Sequence, residues 1–446
     1  MMNLIKDKAD CSGCRTCELV CPKSAITMKE DECGFIYPEI NAKKCIDCGL
    51  CEKKCAFQSG YKKRKEFEPF YGYAARHKNH GVLMKSRSGG AFTAVSDLVL
   101  ENGGVVFGAG FYEKKKVFDK VFSSKEKNII FKFLKNNKEE ESNCFAKIVH
   151  KKAETKEERD EFRGSKYVQS DLGDTFIQVK QMLEDGRQVL FTGTGCQVGA
   201  LYMFLGKEYD NLITMDIVCH GVPTPKLWHD FLDMREREEN SRVTQVNFRD
   251  KVKFGWKAHR ETVWVDGKEI SSRLYTKIFY MDTALRPSCF KCIYANKNRP
   301  GDFTIADFWG HERAVPGFAE DDKGVSLVIV NTNHAKKIWE EASKSMDVID
   351  CTGYPFRHTN MKRPTKKPDN YEEFWKDYLE NGFDFVMEKY CNYKVVTYSQ
   401  KLQQEIEKEE RKKRKEKKRR NKKRKNKIQN IKQRVKNKIK KVIGYE

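Results

Sequence analysis

A chain of 446 residues with a formal charge of +23 and sixteen cysteines has room for two or three domains. It contains no apolar run long enough for a signal peptide or a membrane span, so neither export nor a transmembrane role is expected and a cytoplasmic protein is. The charge is concentrated: residues 399–446 hold 22 Lys and Arg against 6 Glu, net +16, which leaves +7 for the body and gives nucleic-acid binding by that body no support.

Nine of the cysteines precede residue 56. Cytoplasmic thiols stay reduced, so they read as metal ligands rather than a disulfide framework. The first quartet is Cys11, Cys14, Cys17 and Cys21, followed by Pro22; the second is Cys45, Cys48, Cys51 and Cys55, followed by Ala56. This is the spacing of bacterial-type ferredoxins, in which three thiolates of one loop hold a 4Fe-4S cube and the fourth reaches across to the other. Cys11, Cys14, Cys17 and Cys55 are expected around one cluster, and Cys45, Cys48, Cys51 and Cys21 around the second. Zinc motifs use separated cysteine pairs rather than an unbroken quartet. Ala56 stands where a proline is usual, which loosens that turn without removing a ligand. Cys33, between the quartets, reads as a small core filler. Residues 1–60 thus form a two-cluster electron wire, which needs a terminal donor or acceptor in the rest of the chain.

A charged linker, 61–70, leads into a domain expected over 71–398. A helix is predicted from Gly90, with Ala91, Phe92, Ala94, Val95, Leu98 and Val99 on one face and the Gly103-Gly104 pair as its stop. The VVFGAG that follows reads as a strand. Charged stretches at 113–128 and 132–142 read as exposed hairpins or an insertion around Cys144. Further on come a helix over 174–185, the apolar strand VLFTG (189–193), another helix and the strand LITMDIV (212–218). That alternation predicts a parallel α/β sheet.

Ligands gather beyond the carboxyl ends of such strands, where Cys196 of GTGCQ and Cys219 of CHGVP fall. With the Cys289 and Cys292 pair of PSCFKC they suit a third 4Fe-4S cluster. The alternative is a zinc ribbon at the late pair, with Cys196 and Cys219 as buried thiols. Cys144, Cys351 and Cys391 lack partners at ligand spacing and read as structural. The segment Ser86-Arg87-Ser88-Gly89-Gly90 opens the first predicted helix, where N–H groups can cradle a dinucleotide or flavin phosphate. An ordinary glycine N-cap has the same appearance.

From residue 399 the chain is a basic tail. It reads as a solvated extension, as an anionic-membrane-binding helix through Ile428, Ile431, Val435, Ile439 and Val442, or as a nucleic-acid-binding arm.

The segments RSGGAFTA (87–94), FRGSKYVQSDLGD (162–174), GTGCQ, CHGVP, FRDKVKFGW (248–256) and LRPSCFKC with DFTIADFWG (285–292, 302–310) resemble the beta-subunit family of coenzyme F-420 hydrogenases and dehydrogenases. That family also includes 7-hydroxymethyl chlorophyll a reductase. The resemblance implies FAD beside a 4Fe-4S cluster at Cys196, Cys219, Cys289 and Cys292. It implies flavin phosphates held by Ser88, Gly89 and Gly90, and Ser165, Lys166 and Tyr167 close to the cofactor. Asp307 either orients that site or is structural. Gly195 departs from the family's usual proline. No motif marks a deazaflavin pocket, so use of coenzyme F-420 is not carried over.

The expected fold is α+β: a small ferredoxin domain fused to a larger mixed α/β flavin and iron–sulfur domain, with a basic helical or disordered tail. The expected function is an oxidoreductase moving electrons between ferredoxin, or another one-electron partner, and a two-electron organic substrate. His220 is its candidate proton donor, or else a satisfied turn histidine. The other reading is an electron-transfer subunit that docks to a partner enzyme and has no substrate of its own.

Overall fold

The computed structural model describes residues 4–58, 71–112 and 145–444. The linker at 61–70 and the charged stretches around Cys144 lie outside the described residues.

The N-terminal unit is an antiparallel hairpin, β1 (Ile26–Glu30) and β2 (Ile36–Ile40), with a cysteine loop on either side. Each loop ends in one helical turn, Thr16–Leu19 or Leu50–Lys53. The two loops repeat one backbone: left-handed at Gly13 and Asp47, and again at Arg15 and Gly49. These are equivalent positions on either side of the second cysteine of each quartet, and the reversals curl each loop around a centre. At Gly13 the glycine is required twice over. Its φ is +71°, and a Cβ would lie 2.7 Å from Gln169 Nε2 and 2.9 Å from Arg286 Nη1.

The body is built on an eight-stranded sheet. In chain order its strands are β3 (Tyr71–His77), β4 (Val105–Phe111), β5 (Ile148–Ala153), β6 (Val189–Thr194) and β7 (Leu212–Ile217). After β8 (Val243–Asn247), β9 (Glu261–Val265) and β10 (Lys268–Ser272), which form a separate antiparallel sheet, come β11 (Phe303–Asp307), β12 (Ser326–Val330) and β13 (Met346–Asp350). The large sheet runs β13-β3-β12-β11-β7-β6-β4-β5. Its centre, β11-β7-β6-β4, is parallel as the helix–strand alternation predicts. The flanks are antiparallel, which the alternation did not anticipate. A parallel return needs a crossover of a dozen or more residues, usually a helix. Between β11 and β12 the only helix is His311–Ala314, so β12 comes back antiparallel.

Strand alternation decides which helix covers which face. Val106 and Leu190 pack under the helices Ala91–Glu101 and Asn333–Ala342. Val105, Phe107, Val189 and Phe191 pack under Thr175–Glu184 and Gly195–Leu205. A further core gathers Trp228, Phe231, Tyr275, Phe374 and Trp375 beside the β8-β9-β10 sheet, and Phe35 of the N-terminal unit belongs to it. The cysteine-rich unit is therefore built into the body.

The basic tail is one helix, Tyr398–Ile443, started by a capping box of Thr397 and Gln400. Lys, Arg, Glu and Gln are all good helix formers, and Glu407–Arg411, Glu409–Lys413 and Glu410–Arg414 pair one turn apart. Of the two expectations for the tail, the helical one matches. Among the described residues no helix is long and apolar enough to cross a membrane.

Candidate electron-transfer and cofactor site

The parallel strands β4, β6, β7 and β11 end at one edge of the sheet, and the start of β12 lies beside the end of β11. At that edge opens a cleft of about 1090 Å³, lined by Ser88, Gly90, Ser165, Lys166, Tyr167, Cys219 and His220, among others. Segments far apart in sequence thus meet there.

The thiols form three groups. Burial first, and then Cys14 and Cys55, raise the pKa of Cys11, against the opposing pull of the Arg286 guanidinium. Cys17 is raised by burial and by Cys14, Cys11 and Cys55. Cys51 senses Cys48 and Cys21. Cys196 is pushed up to about 12 by burial and by Cys292 and Cys289, and burial with Cys289, Cys196 and Cys292 drives Cys219 well above the usual thiol range. Four desolvated thiolates repel one another, and a cationic iron–sulfur core relieves that repulsion. Backbone N–H groups already point at sulfur, from Gly13 to Cys11 Sγ at 3.4 Å and from Ala25 to Cys21 Sγ at 3.2 Å. The donor set in each group fits a 4Fe-4S cube.

The groups are also in series. Cys48 is exposed. Cys14 of the next group lies within electrostatic reach of Cys196, and Cys219 lines the cleft. The N-terminal unit is held in place by Arg15 on Asp171 (2.6 Å), Gln169 Nε2 on the Ser12 carbonyl (3.1 Å), Thr224 on the Cys33 carbonyl (2.7 Å) and Tyr294 on the Ala56 carbonyl (2.9 Å). Ala56 is buried in the core cluster that covers the sheet. Gly195 opens the helix Gly195–Leu205, where a Cβ would meet Tyr294 at 3.0 Å.

The cleft wall is cationic. Arg87, Arg163, Lys166 and Arg249 line it, and the Nε of each of the three arginines has no hydrogen-bond partner among the described residues. Burial pushes Arg87 down to about 10 and Lys166 down to about 7. The Lys166 Nζ donates to the carbonyls of Glu161 and Arg163. Burial also pushes Lys251 to about 7, with Arg87 adding to it, while its ammonium donates to the carbonyls of Leu83, Ser88 and Lys323. Lys251 thereby staples the Ser86–Gly90 loop from behind. The helix Ala91–Glu101 begins at Gly90 with no side-chain cap, so its first N–H groups are available at the cleft. Unpaired guanidinium donors beside an uncapped helix start fit the diphosphate of a dinucleotide such as FAD.

Of the three residues expected to hold phosphates, the structure places Ser88 and Gly90 on the cleft and Gly89 behind it. The Gly89 N–H is taken by Ser326 Oγ at 2.9 Å. A Cβ there would lie 2.1 Å from the Ala75 carbonyl oxygen and 2.5 Å from the Ser326 nitrogen. Gly89 is needed for close backbone packing, and it is not available to a ligand. The Ser88 hydroxyl proton goes to the Val325 carbonyl, 2.6 Å away.

Asp307 is half-buried, and the loss of solvent favours its neutral form, yet Arg249 at 2.5 Å and the Trp256 indole N–H at 2.8 Å hold its carboxyl below the usual range. The Arg249 guanidinium lies 5.1 Å over the Trp309 ring, which stacks on Trp256. Continuing from that stack, the His259 ring lies 5.6 Å from Trp309, the Tyr280 hydroxyl meets His259 Nδ1 at 2.6 Å, and His220, beside Tyr280, has Nε2 2.6 Å from Asp282 Oδ1. Burial, with Arg249 adding to it, pushes His259 down to about 4, so it is neutral at neutral pH. Cys33, Cys351 and Cys391 stand apart from the three thiol groups and pack with core residues.

Sequence reasoning passed over Arg163, Arg249, His259 and Tyr280 as site residues. The two arginines lie inside FRGSKY and FRDKVKFGW, so an arginine in a segment already singled out was the available signal. His259 and Tyr280 carried none.

Fold and site together define an iron–sulfur redox protein with a cationic cleft. Residues 10–59 match the model of the 4Fe-4S dicluster domain. Residues 186–351 match the C-terminal part of the beta subunit of coenzyme F420 hydrogenase/dehydrogenase, a span that takes in four of the six segments behind the resemblance; those at 87–94 and 162–174 precede it. The chain is accordingly an iron–sulfur electron-transfer protein, similar over residues 186–351 to the beta subunit of coenzyme F420 hydrogenase/dehydrogenase. Comparison with curated proteins finds no match. Among solved structures it is similar to a chain in a xenon-derivatization study of the F420-reducing [NiFe] hydrogenase complex from Methanosarcina barkeri, at 16% identity and a TM-score of 0.39, covering 74% of this chain and 92% of that one.

Proposed function

We propose that the protein is an iron–sulfur flavoprotein oxidoreductase that moves electrons between a one-electron donor such as ferredoxin and a two-electron organic substrate. The observation that carries this reading is the succession of three thiol groups from the exposed Cys48 to Cys219 on the wall of a cationic cleft. Cys11, Cys14, Cys17 and Cys55 would hold one 4Fe-4S cluster; Cys21, Cys45, Cys48 and Cys51 the second; Cys196, Cys219, Cys289 and Cys292 a third. FAD, when bound, supplies the exchange between single electrons and a hydride.

The chain's own residues divide the remaining work. Arg87, Arg163 and Lys166 neutralise the cofactor's phosphates, with Ser88 and Gly90 shaping the loop against them, while Ser165 and Tyr167 line the same wall. Arg249 and Asp307 hold the Trp256–Trp309 stack as an apolar face that excludes water. His220, its Nε2–H donated to Asp282, has Nδ1 as the atom that passes a proton.

The test is iron, sulfide and flavin content of protein purified without oxygen. About twelve irons and one FAD per chain support the proposal, since each cubane brings four irons. About eight irons and no flavin would overturn it in favour of an electron-transfer subunit without its own substrate.

A further inference from the structure

We propose that the far end of the C-terminal helix is a docking surface for an anionic lipid bilayer. The helix Tyr398–Ile443 is joined to the body at its root, where Lys401 pairs with Glu239 at 2.9 Å. Its 46 residues reach roughly 69 Å at 1.5 Å per residue.

Ile428, Ile431, Val435, Ile439 and Val442 are each at least 47% exposed. At 100° per residue they fall within an arc of about 80°. Lys432 and Lys436 lie along one shoulder of that arc, and Arg434 and Lys438 along the other. The far face carries the uncharged Asn430, Gln433 and Asn437, with Lys440 and Lys441 at its margins. Cations at both edges of an apolar stripe, with neutral amides opposite, are what a helix lying in a bilayer interface presents. The aliphatic side chains enter the acyl boundary while the lysine stems carry their ammonium groups up to the lipid phosphates.

The charge pattern selects this occupant over others. No acidic residue occurs between Glu416 and Glu446. A second copy packed on the stripe would set lysine against lysine, with no glutamate at the flanking positions where coiled coils place their ion pairs. Nucleic acid would engage the cations, since neutralising phosphates dominates such binding, and would leave the apolar row in water. The run 417–427 has no aliphatic residue and adds attraction to any polyanion, so the stripe beyond it decides the class.

Sedimentation of the full chain with vesicles is the test. Phosphatidylcholine vesicles containing phosphatidylglycerol are expected to carry the protein down, and pure phosphatidylcholine is not. The triple variant Ile431→Asn, Val435→Asn, Ile439→Asn keeps every charge and is expected to bind at least tenfold more weakly, with iron content unchanged as the sign of an intact body. Equal binding by the triple variant would overturn the proposal and leave charge attraction alone. Retention on duplex DNA or RNA without vesicle binding would overturn it in favour of nucleic acid. A dimer of the parent chain that the triple variant loses, again without vesicle binding, would overturn it in favour of a second copy.

Discussion

Arg286 is the residue whose replacement separates the docking of the N-terminal unit from the stability of the body. Its side chain is 1% exposed. Nε donates to the Cys11 carbonyl at 2.7 Å, Nη2 to the Ile36 carbonyl at 2.8 Å and Nη1 to Gln169 Oε1 at 3.1 Å. The guanidinium also lies 4.4 Å over the Tyr37 ring. Its main chain belongs to the late cysteine loop, where its carbonyl accepts from the Cys289 N–H at 2.9 Å. One side chain therefore ties the loop of Cys11 to that of Cys289. Arg286→Met removes three charge-assisted hydrogen bonds, each contributing ~1.5–3 kcal/mol, and leaves two buried carbonyls unpaired. Relief from burying a guanidinium without a carboxylate partner offsets part of the loss, for a net cost of about 3 kcal/mol. That is roughly a hundredfold in an opening equilibrium. Amide hydrogen exchange on the cluster-loaded protein reads it directly. Protection at residues 8–21 and 36–40 falls about a hundredfold while β7 keeps its own. Unchanged protection at 8–21, or an equal loss in β7, refutes the reasoning.

The remaining predictions concern the cleft and the third thiol group. Lys166 titrates at about 7 without a ligand, and an anion beside it raises that value, so binding takes up a proton above pH 7. FAD affinity is then full below pH 7 and falls with rising pH by up to tenfold per unit; fluorescence titrations of FAD should show this slope, and Lys166→Met should flatten it. Cys196→Ser should lower iron from about twelve to about eight per chain while the spectroscopic signals of the two N-terminal clusters persist. Retention of all the iron would remove Cys196 from the ligands. Gly89→Ala drives a Cβ into main-chain atoms of β3 and β12, at ~1–3 kcal/mol or more, and should lower the thermal midpoint together with FAD retention. An unchanged midpoint would contradict the packing role given to Gly89.

Much of this molecule is legible along the chain because its signals are local. The helix expected over 91–100 with a stop at Gly103-Gly104 is observed as Ala91–Glu101, and the strands expected at 189–193 and 212–218 as Val189–Thr194 and Leu212–Ile217. Apolar periodicity and glycine placement act within a few residues, so they can be read without the fold. The two quartets are equally local, since each loop carries three thiols within seven residues. The antiparallel flanks of the sheet were not legible, because strand direction depends on how each connection crosses, and no window of sequence records that.

The sequence by itself determined the residue types: ten cysteines at ligand spacing and two more just past strand ends, a glycine-rich helix start, and a tail whose aliphatic row repeats at three and four. Only the tertiary structure decided which of them share a place. It set Gly89 behind the loop and Arg87, Arg163 and Arg249 in front, brought His220 to Asp282, and used Arg286 to fasten the first cysteine loop to the third. Those pairings span tens to hundreds of residues, and their contact follows from strand order and from burial in separate cores. A side chain's chemistry belongs to its type, whereas its partner, its dielectric surroundings and so its pKa belong to the packing around it.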